Sequence, residues 1–135
     1  MSQTPIGQCE QSLKVLLLTS KLSPAAGGLA VSVPGLAHSI DQLPGVDMHV
    51  MGTLDPDNPD SAKSWGPRVF AFPVKGPQAG QYAPKMTQAI AELAPDLVDV
   101  QGLWTYPSLV SLRHARRTGS PYMITPRGML DPWAR

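Results

Sequence analysis

Two adjacent glycines, Gly27 and Gly28, stand between Ser23-Pro24-Ala25-Ala26 and a segment in which Leu29, Val33, Leu36, Ala37 and Ile40 recur at helical spacing. A glycine pair lets backbone amides approach a phosphate closely, and a helix N-terminus favours negative charge. The same pair also suits a tight strand-to-helix turn that needs glycine only for its dihedral angles, so these residues alone leave both readings open. A second cluster is Gln101-Gly102-Leu103-Trp104-Thr105-Tyr106-Pro107. Here Gln101, Gly102, Trp104 and Tyr106 either line a sugar site by hydrogen bonding and stacking, or the two aromatics close over the core. The third is Thr125-Pro126-Arg127-Gly128-Met129-Leu130-Asp131-Pro132-Trp133. Arg127 is a cation suited to a phosphate or carboxylate, or else a surface partner of Asp131.

Several chemistries are excluded by pattern. Neither G-x-G-x-x-G nor G-x-x-x-x-G-K-[ST] occurs, which removes dinucleotide and P-loop readings. No G-x-S-x-G elbow presents a nucleophilic serine. His38, His49 and His114 are scattered and the one cysteine, Cys9, is remote, so no zinc spacing exists. The run Asp55-Pro56-Asp57-Asn58-Pro59-Asp60 lacks the glycine and the closing glutamate of a calcium loop. No metal site and no cofactor are expected.

The elements that must position these clusters alternate between strand and helix. Lys14 to Thr19 is a short continuous apolar run, as in a strand buried on both faces. Pro34 interrupts the helical pattern that follows, so the regular helix either begins near Ser32 or has a bent first turn. Asp47 to Met51 reads as a second strand, and Leu54 to Gly66, rich in Asp, Pro and Ser, as loop. Arg68 to Phe72 is a third strand. A helix from about Pro84 carries Met86, Ile90 and Leu93 before Pro95 stops it. Leu97 to Val100 is a fourth strand, again buried on both faces, and Pro107 opens another helix. That helix closes on Arg116, Arg117 and Gly119, which suit its negative end and its C′ position. Pro121 to Thr125 is a fifth strand. The pattern predicts an α/β fold, a parallel sheet with helices on both faces. Ligands bind such sheets beyond the carboxyl ends of the strands, where the three clusters fall.

The chain has 135 residues, enough for one domain, with 42% apolar and 16% charged residues. A net charge of +1 and the absence of a basic stripe give no reason to expect nucleic acid as a partner. One cysteine rules out an intrachain disulfide. Residues 1–12 are polar and patternless, a disordered leader without the charged and apolar regions of a secretory signal, which makes a cytoplasmic protein the default.

From Lys14 to Arg135 the chain resembles bacterial family 4 glycosyltransferases of the kind that build surface polysaccharides. The resemblance rests on Gly27-Gly28-Leu29-Ala30-Val31-Ser32-Val33-Pro34-Gly35-Leu36-Ala37, on Asp99-Val100-Gln101-Gly102-Leu103-Trp104, and above all on Thr125-Pro126-Arg127-Gly128-Met129-Leu130-Asp131-Pro132-Trp133-Ala134. It implies a GT-B architecture, two Rossmann-like domains with the reaction in the cleft between them. Residues 13–135 would be an incomplete N-terminal, acceptor-side domain, the C-terminal domain holding the nucleotide-sugar donor. The reaction implied is transfer with retention of configuration and without a metal, to a sugar or lipid-linked acceptor. The resemblance places Gly27 and Gly28 against the donor diphosphate, and Gln101, Gly102, Trp104, Tyr106, Arg127, Gly128 and Met129 along the cleft. Many members carry histidine where Gln101 and Arg127 stand. Arginine is no general base at ordinary pH, so location carries over to these two positions and proton transfer does not. The resemblance leaves room for peripheral attachment of the whole enzyme to the inner face of the membrane, and a truncated chain is expected to self-associate. The rival expectations are a non-catalytic α/β module binding sugar or nucleotide, and an inactive relic.

Overall fold

The computed structural model describes residues 12–127. The expected leader therefore lies almost wholly outside the described residues, as do Gly128, Met129 and Asp131. Five strands, β1 (Leu13–Lys21), β2 (Val46–Thr53), β3 (Val69–Phe72), β4 (Leu97–Gln101) and β5 (Tyr122–Thr125), form one parallel sheet in the order β3-β2-β1-β4-β5. The helices are α1 (Leu29–Asp41), α2 (Lys85–Leu93) and α3 (Tyr106–Thr118). This is the α/β, Rossmann-like fold that the sequence predicts.

The apolar run of β1 is buried because it serves two cores. Successive side chains of a strand point to opposite faces. Val15 and Leu17 accordingly join Val33 and Ala37 of α1 with Met48, Val50 and Trp65, while Leu16 and Leu18 join Met86 and Ile90 of α2, Val98 and Val100 of β4, and Val110 of α3. Each fully buried leucine contributes about 1.5–3 kcal/mol relative to exposure, which makes β1 the element both layers depend on. On β4, Val98 and Val100 face the α2–α3 core, so Asp99 and Gln101 point to the α1 side.

One open question is decided and one expectation changes. Of the two alternatives for the first helix, a start near Ser32 falls: α1 begins at Leu29 and runs through Pro34. Proline costs the bond its missing N–H would make to the Ala30 carbonyl. Burial of Val33 and Ala37 on either side of it keeps that stretch in the helix. The segment read as loop, Leu54 to Gly66, contains a 3-10 helix over Pro59–Trp65 that buries Ala62 and leaves Trp65 only 2% exposed, packed in the α1-side core. Gly66 follows it so closely that a Cβ there would lie 2.7 Å from Val50 Cγ2.

The sheet order reverses direction at β1 and β4, which neighbour each other although two strands separate them in sequence. Such a switch point opens a crevice at the carboxyl ends of its two strands.

Candidate functional site

Beyond β1 the chain makes a short 3-10 turn, Pro24–Ala26, capped by the Ser23 hydroxyl, which accepts from Ala25 N–H at 3.2 Å. Gly27 then adopts φ 67° and ψ −130°, a conformation open to glycine and closed to residues with a Cβ. Gly28 is different. Its φ −59° and ψ −27° are ordinary helical values, and an added Cβ would meet no atom within 4 Å. Neither backbone conformation nor internal packing calls for glycine there. Its helix offers donors: Ala30, Val31 and Ser32 N–H bond back to Gly27 and Gly28 carbonyls, whereas Gly28 and Leu29 N–H have no backbone partner among the described residues. These are the orphan amides of a helix start.

The β4 end is built across the same crevice. The Ser20 and Thr105 hydroxyls hydrogen-bond at 2.8 Å, tying the end of β1 to the start of α3. Gly102 takes φ 113° and donates its N–H to Thr125 O at 2.9 Å, joining β4 to β5 at their carboxyl ends. Gln101 is 3% exposed, and its Oε1 accepts from Arg127 Nε at 2.7 Å. Guanidinium is donor-only, which fixes the amide orientation. Gln101 Nε2 has no partner at hydrogen-bond distance among the described residues, yet the side chain still favours the charged form of neighbouring Asp99. Asp99, 9% exposed, accepts from the Thr125 hydroxyl at 3.1 Å. Burial pushes its pKa up, and Thr125, Gln101 and the Arg127 charge partly oppose that.

Arg127 has φ 56° and lies with Ala26, Gly28, Leu29 and Ser32 around a pocket of about 360 Å³. The structure thus brings together Gly28 and Arg127, from opposite ends of the described chain, with Gln101 bonded to Arg127. Gly27 adjoins the pocket as the turn that aims Gly28. The two Nη groups of Arg127 have no protein partner among the described residues.

Trp104 and Tyr106 belong elsewhere. Trp104, at φ 68°, is 61% exposed and so does not close over the core. Tyr106 opens α3, hydrogen-bonds Thr87 at 3.0 Å and meets Tyr82 edge-on with ring centroids 4.9 Å apart. Both line a separate pocket of about 510 Å³ with Tyr82, Leu109 and Ile124. That pocket is larger, but its lining carries no cation to meet a phosphate.

The sequence reading missed Ser20 and Thr105 as the link across the crevice, Ser32 as a pocket residue, and Asp99. The last left a signal: a carboxylate inside an apolar strand is rare unless it has partners. Among the described residues no three His, Cys, Asp or Glu side chains are grouped as metal ligands, and no helix is long and apolar enough to cross a membrane.

The profile of the family described as Glycosyl transferase 4-like domain matches residues 27–135, starting at the glycine pair and including all three sequence clusters. No curated protein and no solved structure gives a significant match.

Proposed function

Because the chain belongs to the glycosyl transferase 4-like family, we propose that it supplies the diphosphate-facing and acceptor-facing wall of a retaining enzyme that moves a sugar from a nucleotide-sugar to a sugar or lipid-linked acceptor. The observation that carries this reading is the pocket shared by Gly28 and Arg127. An anion there meets the unpaired amides of Gly28 and Leu29 at the positive end of a 13-residue helix. From the opposite side it meets a guanidinium already held by its Nε. Glycine at position 28 leaves the amides open to close approach.

In transfer, negative charge builds on the leaving diphosphate as the bond to the sugar breaks. Fixed donors aimed at that charge lower the barrier without reorganising. In this reading Gly28, Leu29 and Arg127 are those donors, and no metal is required. Gln101 orients Arg127 and has no proton to exchange at neutral pH. In this reading the acceptor lies toward Gly102, at the carboxyl ends of β4 and β5, and toward the separate pocket that Trp104 lines.

The direct test is a titration of the 135-residue chain with UDP-glucose and, separately, pyrophosphate, followed by amide resonances. Both are expected to shift Gly28, Leu29 and Ser32, weakly, since few contacts must offset the freedom a ligand loses. Shifts confined to the Trp104–Tyr106 region would move the site to the other pocket and defeat the assignment.

A further inference from the structure

The ladder between β1 and β4 reaches its last pair at Leu18 and Val100. Beyond it the two strands lead to opposite walls of the anion pocket. β1 runs on through Leu22 and the short turn to Gly28, while β4 ends at Gln101, which holds Arg127. Two hydroxyls bridge them there. Thr19 Oγ1 donates to Gln101 O at 3.5 Å, and Ser20 Oγ pairs with Thr105 Oγ1 at 2.8 Å. Three features of the chain converge on Ser20. Pairing of β1 with β2 reaches Leu18–Met51 and resumes at Lys21–Thr53, so Thr19 and Ser20 together oppose Gly52. This is a β-bulge, a device that re-aims side chains near sites. Gly52 admits it: a Cβ there would lie 2.6 Å from Ser20 O and 2.7 Å from Leu22 Cγ. The extra residue also reverses the alternation, so that Leu22 joins the α1-side core although Leu16 and Leu18 face the other. The third feature is Thr105, the N-cap of α3, where a threonine hydroxyl ordinarily accepts from an amide of the first turn. It makes no such bond among the described residues, and its hydroxyl is turned to Ser20 instead.

We propose that Ser20 and Thr105 are a pair of positioning residues for the anion pocket, whose shared hydrogen bond fixes the span between the wall that carries Gly28 and the wall that carries Arg127. The inference rests on the diphosphate reading of that pocket. An anion gripped from two sides needs both sets of donors in reach at once, and an N–H···O bond holds only across about 2.7–3.2 Å. A small shift of one wall therefore loses one grip. The β1–β4 ladder cannot set this span, since its last pair is at Leu18. Arg127 has little freedom to follow a displaced anion, because its Nε is bonded to Gln101, itself only 3% exposed. Gly28 and Leu29 offer main-chain donors, which move only with their turn. Removing either hydroxyl leaves one-sided binding, in which the anion stays on the start of α1 and parts from the guanidinium.

Pyrophosphate titration of the full 135-residue chain tests this, read at the Gly28 and Leu29 amides and at the Arg127 Nε–H resonance. Ser20→Ala and Thr105→Val are each expected to weaken binding about fivefold, the scale of one hydrogen bond. Valine keeps the shape of threonine, and no cap bond is lost with the hydroxyl. The double variant should lose no more than either single one, because both changes remove the same bond. In each variant the Gly28 shift should persist at saturation while the Arg127 shift falls away, a signature that general loosening of the fold does not produce. Thr105→Ser keeps the hydroxyl and should bind like wild type. Single variants that bind like wild type, effects that multiply, Gly28 and Arg127 shifts that shrink together, or a Thr105→Ser chain as weak as Thr105→Val would each overturn the proposal. Amide exchange in the free chain separates this from the underlying reading. In Ser20→Ala, the Gly102 N–H bonded to Thr125 O should exchange faster while Val98 N–H does not. If wild type shows no pyrophosphate shift at Gly28, the diphosphate reading fails. Unchanged exchange at Gly102 defeats the positioning role whether or not pyrophosphate binds.

Discussion

Arg127 Nε donates to Gln101 Oε1 at 2.7 Å, linking residues 26 positions apart at the carboxyl ends of β5 and β4. The bond uses the one guanidinium nitrogen on the chain side and leaves two more donors on a side chain that lines the same pocket as Gly28. A fork can hold a protein partner and a ligand at once; an ammonium cannot do so with fixed geometry. Arg127→Lys is therefore expected to weaken pyrophosphate binding about tenfold despite keeping the charge. Equal binding by the lysine variant, measured by the same amide titration, would mean that charge alone matters.

The two glycines should separate cleanly. Gly27→Ala forces a Cβ into φ 67° and is expected to cost about 1–2 kcal/mol of stability. A Cβ at position 28 meets no neighbouring atom, so Gly28→Val should leave the melting temperature within a few degrees, about the scale of a surface change, while abolishing the pyrophosphate shifts. Thermal melts alongside titration decide it. A Gly28→Val chain that still binds returns the pair to a purely local turn.

What was legible follows from how local each feature is. The apolar runs of β1 and β4 show in sequence because a strand buried on both faces needs no alternation. The glycine pair shows because one of its members has a positive φ. Pro34 left the start of α1 open between Leu29 and Ser32 in sequence, since local chemistry disfavours it inside a helix and the packing of Val33 and Ala37 retains it there. Trp65 was hidden among Asp, Pro and Ser, because its burial depends on α1 and β2 residues brought to it by the fold. The Gln101–Arg127 bond was out of reach for the same reason: it exists through the register that sets Gln101 beside Thr125. All three clusters were correctly placed at strand ends, but only the fold shows that Trp104 and Tyr106 line a different pocket from Gly28.

Asp99 gives stability a definite pH dependence. Burial raises its pKa above 3.8 in the fold, so between those two values the folded chain holds a proton that the unfolded chain releases. Stability from this group is full below the unfolded value and is lost as pH rises through the folded one. Asp99→Asn, which cannot ionise, should flatten that slope and raise the melting temperature at pH 7 by a few degrees, roughly the effect of a modest change in stability. A steeper slope in the variant would show that the carboxylate is favoured by its surroundings instead.

His114 acts in the opposite direction. It is buried on α3, and neither ring nitrogen is hydrogen-bonded among the described residues. Burial, then the nearby Arg117 charge, lowers its pKa below 6.5. As pH falls below 6.5 the unfolded chain takes up a proton that the fold resists, and stability declines until the folded value is passed. His114→Phe should remove this loss from melting curves taken between pH 7 and pH 5, a range chosen to bracket the ordinary histidine value. A wild-type curve that is flat there, or an identical decline in the variant, would count against a buried neutral histidine.

The last expectation concerns association. β5 pairs with β4 on one side, and no described strand covers its other side. Its Tyr122, Met123 and Ile124 are exposed, as are Trp104 and Leu109 nearby. An uncovered strand edge with apolar side chains is a template for pairing with another copy, and a contiguous apolar patch adds a driving force. The 135-residue chain is therefore expected to self-associate in a concentration-dependent way, visible as a rising mass in light scattering. Met123→Lys and Ile124→Lys place a charge on opposite faces of the same strand, since neighbouring residues alternate. Lysine at an edge discourages pairing whichever face it occupies, so both variants should shift the chain toward monomer. If only Ile124→Lys does so, the apolar pocket between α3 and β5, which Ile124 lines, is the contact rather than the strand edge. If neither does, association through β5 is wrong.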